Sequence, residues 1–131
     1  MEVEVELSRI IINETIDQQI IALKEVGGNR SIPIVIGMPE ILAIDQRLKG
    51  IKLPRPMTHD LMAKIITQMG GEIEKAVVSD LSDGTFYAIL HININGATLE
   101  IDSRPSDAIA LSAGLGVRLF VAEHVFEQTQ M

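Results

Sequence analysis

Phe86-Tyr87-Ala88-Ile89-Leu90-His91-Ile92-Asn93-Ile94-Asn95-Gly96-Ala97-Thr98-Leu99-Glu100-Ile101-Asp102-Ser103-Arg104-Pro105 is the stretch that decides the fold class. Phe86, Ala88, Leu90 and Ile92 recur at every second position, the period that lines one face of a strand. Asn95-Gly96 then supplies the two residues best able to adopt the positive φ angles of a tight hairpin. Beyond the turn, Leu99 and Ile101 alternate with Thr98, Glu100 and Asp102, which sets both carboxylates on the face opposite the aliphatic pair. Pro105, with its preset φ and no N–H, suits the opening of a helix. An antiparallel pair that runs directly into a helix points to an α+β domain.

Reading back from this hairpin, residues 73–80 form a further strand that turns at Ser82-Asp83-Gly84. Before it, Leu61, Met62, Ile65, Ile66 and Met69 share one face of a helix, with Thr58 as its expected N-cap and Gly70-Gly71 past its end. Pro54 and Pro56 mark residues 51–57 as a linker, since each biases its predecessor away from helix. Ile41, Ile44 and Leu48 predict an amphipathic helix over 40–49, introduced by Pro39 and stopped by Gly50. The N-terminal part reads as a three-stranded meander. Its first strand, 2–7 with 10–12 as a candidate extension, sets Glu2, Glu4 and Glu6 against Val3, Val5 and Leu7. Turn-forming residues at 13–17 lead to a strand over 18–26, and Gly27-Gly28-Asn29 leads to another over 32–36.

Reading forward, Pro105 opens a helix through Leu111, with Gly114 and Gly116 punctuating its end. Residues 118–122 read as a short strand, 123–126 as a last helical turn, and 127–131 as a tail with little to hold it in order. The sequence predicts one compact domain over 1–131, with mixed or antiparallel strands in two groups and about three helices.

Composition narrows the function classes. A chain of 131 residues can bury roughly two-thirds of its extended surface, enough for one self-sufficient core. At 47% hydrophobic but 3% aromatic, that core is aliphatic, and few platforms exist for stacking nucleic-acid bases. No apolar run is long enough to span a bilayer, and the start Met1-Glu2-Val3-Glu4 does not read as a signal peptide. The absence of cysteine excludes disulfides, thiolate zinc and cysteine nucleophiles, and accords with a cytoplasmic location. A net charge of −7 opposes long-range attraction to phosphate backbones, so a nucleic-acid role needs a local basic patch or metal ions. Arg47, Lys49, Lys52 and Arg55, uninterrupted by a carboxylate, offer such a patch; a solvated helix end is the simpler account of them.

Three segments carry chemistry. In Arg55-Pro56-Met57-Thr58-His59-Asp60 a cation, a histidine and a carboxylate crowd a helix start, where free amides attract anions and His59 can move a proton; capping by Thr58 and a dipole role for Asp60 explain part of it. Asp80-Leu81-Ser82-Asp83-Gly84-Thr85-Phe86-Tyr87 is first a turn, from which Asp80 can still reach a shared site. Glu100-Ile101-Asp102-Ser103-Arg104-Pro105-Ser106-Asp107 puts three carboxylates and an arginine at a strand-to-helix junction. Such oxygens suit Mg²⁺ or Mn²⁺; alternatively Asp102 or Ser103 satisfies helix-start amides and Arg104 pairs with Asp107 or Asp60. There is no phosphate-binding loop, Rossmann fingerprint, His-Glu-x-x-His pair or nucleophile elbow.

These three segments, read as Leu53 to Leu61, Asp80 to Ala88 and Ile101 to Leu111, resemble in order and spacing the bifunctional nuclease domain family. The similarity extends to the N-terminal strands, the junction at Ile34 to Pro39 and the closing Phe120-Val121-Ala122-Glu123, and so to nearly the whole chain. Ser103 stands where a small residue such as alanine is expected, and Ser112 and Gly114 make the third helix less regular than its relatives'. The resemblance implies a compact α+β domain associated with hydrolysis of both DNA and RNA at low sequence preference. Some similar domains are followed by a UvrB/UvrC-type helical motif; no such extension is expected up to Met131.

On a nuclease reading, Asp102, Asp107, His59 and Asp60 are the expected catalytic residues, with Asp102, Asp107 and Glu100 holding a divalent metal such as Mg²⁺ or Mn²⁺. Arg55 and Arg104 are then expected to position the phosphate of a DNA or RNA substrate. On the alternative reading the polar motifs fix helix ends, and an aliphatic surface mediates self-association or partner binding. A homo-oligomer is an expectation of either reading.

Overall fold

The computed structural model describes residues 1–13, 15, 16 and 18–129. In chain order the elements are β1 (Glu2–Ile11), β2 (Gln19–Glu25), β3 (Ser31–Ile36), α1 (Met38–Leu48), α2 (Thr58–Gln68), β4 (Gly71–Ser82), β5 (Thr85–Ile94), β6 (Ala97–Ser103), α3 (Pro105–Ser112), β7 (Arg118–Ala122) and α4 (Glu123–Thr129). The seven strands make one sheet, in the order β3-β2-β1-β7-β4-β5-β6. Consecutive strands within β1–β3 and within β4–β6 pair antiparallel, as their short turns require. β7 joins the two groups: it lies antiparallel to β1 and parallel to β4. The parallel pair is possible because β5, β6 and α3 form a long crossover between its strands.

Both tight hairpins follow from their turn residues. Asp83 and Gly84 have φ of 51° and 78°, and Asn95 and Gly96 have 53° and 81°, all in the left-handed region that these residues tolerate best. The resulting register sets Leu90 opposite Ile101 and Ile92 opposite Leu99.

Two apolar clusters join the sheet to its helices. Val5, Ile21, Leu23, Ile32 and Ile34 from β1–β3 pack with Ile41 and Ile44 of α1 and with Val125 and Phe126 of α4. Ala76, Ala88, Leu90 and Ile92 pack with Ala108 and Leu111 of α3 and, more peripherally, with Met62, Ala63 and Ile66 of α2. α3 contributes to both clusters and is buried from Pro105 to Ser112 except at Asp107, so it sits at the centre of the helical layer.

Three local expectations change. The N-cap of α2 is Met57, not Thr58, because Asp60 in the first turn accepts the Met57 N–H at 3.1 Å and so supplies the capping interaction from inside the helix. Neither Asp102 nor Ser103 caps α3; Arg104 is the extended residue before it, and the Ser103 hydroxyl instead donates to the Arg104 carbonyl at 2.8 Å. The last helical turn becomes a full helix through Thr129, since burial of Val125 and Phe126 holds it to the sheet. The rest of the expected tail, Gln130 and Met131, lies outside the described residues, as do Glu14 and Asp17 of the expected 13–17 turn. No described helix is long and apolar enough to cross a membrane.

Candidate functional site

Two helix starts meet at one carboxylate. Pro105 opens α3, so Asp107 falls in its first turn, three residues after Arg104 at the N-cap. At that spacing the guanidinium folds back on the carboxylate: Arg104 Nε donates to Asp107 Oδ2 at 2.9 Å and Nη2 to Oδ1 at 3.1 Å. His59, in the first turn of α2, brings Nε2 within 3.0 Å of Asp107 Oδ1. A carboxylate accepts, so Nε2 carries a proton in this contact, which leaves Nδ1 as the nitrogen able to offer a lone pair. The His59 side chain is only 13% exposed, while that of Arg104 is 64% exposed. Partial burial by itself raises the Asp107 pKa, but the hydrogen bonds from Arg104 and His59 outweigh it and hold the carboxyl below its usual range.

Arg47 of α1 ties the three helices together. Its Nη2 donates to the Leu111 carbonyl at 3.2 Å and its Nε to the Ala110 carbonyl, at the last turn of α3, where free carbonyls and the negative dipole end favour a cation. Its Nη1 pairs with Asp60 of α2. One guanidinium, 13% exposed, therefore joins α1, α2 and α3. Gly114, just past α3, has φ of 78°, and a Cβ there would stand 2.9 Å from the Arg47 carbonyl oxygen, so only glycine lets the two segments approach. Between these parts lies a groove of about 230 Å³, with Arg47, Lys52, Leu53, His59, Asp60 and Leu115 among its walls. Of the basic run, Lys49 pairs with Asp45 at 2.9 Å and Arg55 is exposed on the 51–57 linker.

A second groove, of about 500 Å³, lies elsewhere. It is lined by Asp80, Tyr87, Ile89, Glu100 and Asp102, with Ser79 and Ser82. The alternation of β6 puts Glu100 and Asp102 there, opposite His91 and Ile89 of β5. His124 Nε2 reaches Asp80 Oδ1 at 3.2 Å. The structure thus gathers His59, Asp60, Arg104 and Asp107 at the helical junction and leaves Glu100 and Asp102 with Asp80 on another face. Among the described residues no group of three His, Asp or Glu side chains is placed to hold a metal ion. The expected ligand set of Glu100, Asp102 and Asp107 is divided: Glu100 and Asp102 line the second groove, whereas Asp107 sits at the helical junction with both oxygens already accepting hydrogen bonds.

Sequence comparison speaks to the same segments. A model of the bifunctional nuclease domain matches residues 20–131, a span that holds all three polar segments and both helix starts. The chain belongs to the bifunctional nuclease domain family. An uncharacterized protein of Mycobacterium tuberculosis is 36% identical over 125 residues, covering 95% of this chain and 74% of that protein. Bifunctional nuclease 1 of Oryza sativa is 23% identical over 96 residues, covering 71% of this chain and 29% of the rice protein.

Within this family domain, sequence reasoning offered Asp107 or Asp60 as the partner of Arg104, and the structure selects Asp107; it did not bring His59 to the same carboxylate, because the two lie 48 residues apart. It also left Arg47 between a basic patch and a solvated helix end. A signal was available: Arg47 falls three residues after the buried Ile44, on the apolar side of α1, where a cation needs a specific partner.

Proposed function

We propose that the domain hydrolyses phosphodiester bonds of DNA and RNA with low sequence preference, and that the reaction takes place at the junction of α1, α2 and α3. The observation that carries this reading is the His59–Asp107–Arg104 arrangement, built from two of the three family-matching segments. Membership of a nuclease domain family and the matching rice bifunctional nuclease support the reaction class.

In this reading Asp107 orients the His59 ring and stabilises its protonated form, and Nδ1 accepts a proton from a water molecule. The water oxygen attacks phosphorus, the P–O ester bond breaks, and the departing oxygen takes up a proton from solvent, to which His59 later releases the one it accepted. Arg104, with one guanidinium nitrogen not engaged by Asp107, offsets charge on the phosphoryl oxygens, and Lys52 and Arg55 supply further positive charge along the linker. The catalytic group is thus His59, with Asp107 as its positioning residue. Asp60 holds Arg47 and the start of α2 and stands beside His59 in the groove wall. Assistance by Mg²⁺ or Mn²⁺ is an open arm of the test, and no step is assigned to an ion.

A second reading is favoured by one observation: Arg47, Asp60 and Asp107 all bond within the domain, as residues that only fasten helices would. Cleavage of single-stranded DNA, duplex DNA and RNA in Mg²⁺, Mn²⁺ or EDTA separates the two. The nuclease reading requires activity that falls in His59→Asn and Asp107→Asn and persists in Asp102→Asn. Equal activity in all four proteins points to a contaminant, and none in any leaves the binding module.

A further inference from the structure

The two edges of the sheet are built differently. β3 is blunted by Pro33, which has no N–H to offer a further strand. β6 has no such protection, and residues 97–102 are all exposed. Because Asn95-Gly96 closes a two-residue loop, Ile94 and Ala97 form a hydrogen-bonded pair and the pattern alternates from there. Ala97, Leu99 and Ile101 therefore bond to β5, while Thr98, Glu100 and Asp102 turn their N–H and C=O groups outward.

Side chains beside this free edge are sorted by face. On one face lie Leu99 and Ile101, 47% and 43% exposed. On the opposite face, Glu100 and Asp102 share their groove with Asp80. The edge thus presents an aliphatic row on one side and an acidic row on the other.

We infer that β6 is a docking edge for an extended segment of a protein partner in which aliphatic residues alternate with lysine or arginine. Such a strand continues the ladder through the outward groups of Thr98, Glu100 and Asp102. It sets its aliphatic side chains on Leu99 and Ile101 and its cations on Glu100 and Asp102. Charge complementarity selects this occupant over a second copy of the chain, since an antiparallel β6–β6 pair aligns two acidic rows on one face, where like charges repel. The inference is independent of the nuclease reading.

The test is fluorescence anisotropy of the full chain with a labelled eight-residue peptide alternating valine and lysine, alongside sedimentation of the chain alone. The comparison peptides replace lysine by glutamate or carry N-methyl groups on alternate backbone nitrogens, which keeps charge and composition but removes ladder bonds. The docking edge predicts saturable binding, weakened roughly tenfold or more by Thr98→Pro, by Glu100→Gln/Asp102→Asn, and with either comparison peptide. Thr98→Pro removes the outward N–H together with the hydroxyl's 3.2 Å bond to Glu74 Oε1; Thr98→Val removes the hydroxyl alone and should bind as wild type, and thermal unfolding verifies that both variants fold. No binding, equal binding of the N-methylated peptide, or a homodimer that Thr98→Pro dissociates would each overturn the proposal.

Discussion

His59 Nε2 lies 3.0 Å from Asp107 Oδ1, joining the first turn of α2 to the first turn of α3 across 48 residues of chain. Each helix start is fixed by its own local geometry, Asp60 folding onto the Met57 N–H in one and Pro105 opening the other. The imidazole–carboxylate contact is the point where two locally determined pieces become one site. Its value lies in orientation: an imidazole held at one nitrogen presents the other in a fixed direction.

If His59 is the proton acceptor, His59→Asn keeps a polar side chain, shorter than the ring on the Asp107 side, and loses the base. Cleavage should then fall by about 10²- to 10⁴-fold, the range that general-base catalysis contributes. Asp107→Asn should fall less, because the ring remains and only its orientation and charge stabilisation suffer. Steady-state rates on DNA and RNA substrates, with urea unfolding to verify that both variants fold, check the ordering. A variant of Asp107 that loses more than His59→Asn would move the chemistry from the imidazole to the carboxylate.

Arg47→Met removes the cation that satisfies the Ala110 and Leu111 carbonyls and pairs with Asp60, while keeping most of the side-chain volume. The expected loss is about 2–4 kcal/mol in urea unfolding, the range for leaving buried polar groups unpaired. Asp60→Asn should cost less, since the α3 carbonyls keep their donor. Gly114→Ala should destabilise by a comparable route, because φ of 78° and the 2.9 Å approach to the Arg47 carbonyl are both unfavourable to a Cβ. A neutral Arg47→Met would mean that solvent takes over these bonds freely.

Much of this fold was legible because its decisive segments are short and periodic. The β5–β6 hairpin follows from Asn95-Gly96 and the alternation on either side, and α1 and α2 from the spacing of Ile41, Ile44, Leu61, Met62 and Ile66. What the sequence could not convey is long-range placement. Nothing local in residues 118–122 says that β7 lies between β1 and β4, nor that a histidine at 59 meets a carboxylate at 107. For the same reason Glu100, Asp102 and Asp107 look like one cluster in sequence. A strand that alternates faces and then turns into a helix sends the first two to a groove and the third to the helical junction.

Gln19 illustrates a polar residue that local pattern reading passes over. It is fully buried at the start of β2, where its Oε1 accepts the Asn13 N–H at 2.7 Å and its Nε2 donates to the Asn13 and Ile16 carbonyls at 3.3 and 3.5 Å. One amide thus satisfies backbone groups of the β1–β2 connection. Gln19→Leu should cost about 1–3 kcal/mol, because it strands those backbone groups instead of replacing both partners. Hydrogen exchange at Asn13 and nearby amides, compared between the two proteins, tests whether the loss is local; unchanged protection at Asn13 would sink the assignment.

Acid stability provides the last prediction and bears on the site itself. The Asp107 carboxyl is held below its ordinary value in the folded protein, whereas in the unfolded chain it titrates near about 3.9. The folded state therefore binds its proton less readily than the unfolded one. The resulting stabilisation is present above the unfolded value and is lost as pH falls through the lower folded value. Wild-type protein should thus exceed Asp107→Asn in stability at pH 5 to 7, and the gap should close as pH drops below about 4. Urea midpoints at stepped pH measure it, with Asp102→Asn as a comparison on the other groove. A gap that stays constant into acid would mean that the asparagine loses packing or hydrogen-bond geometry rather than charge, and that Arg104 and His59 do not hold the carboxylate in the way their distances indicate.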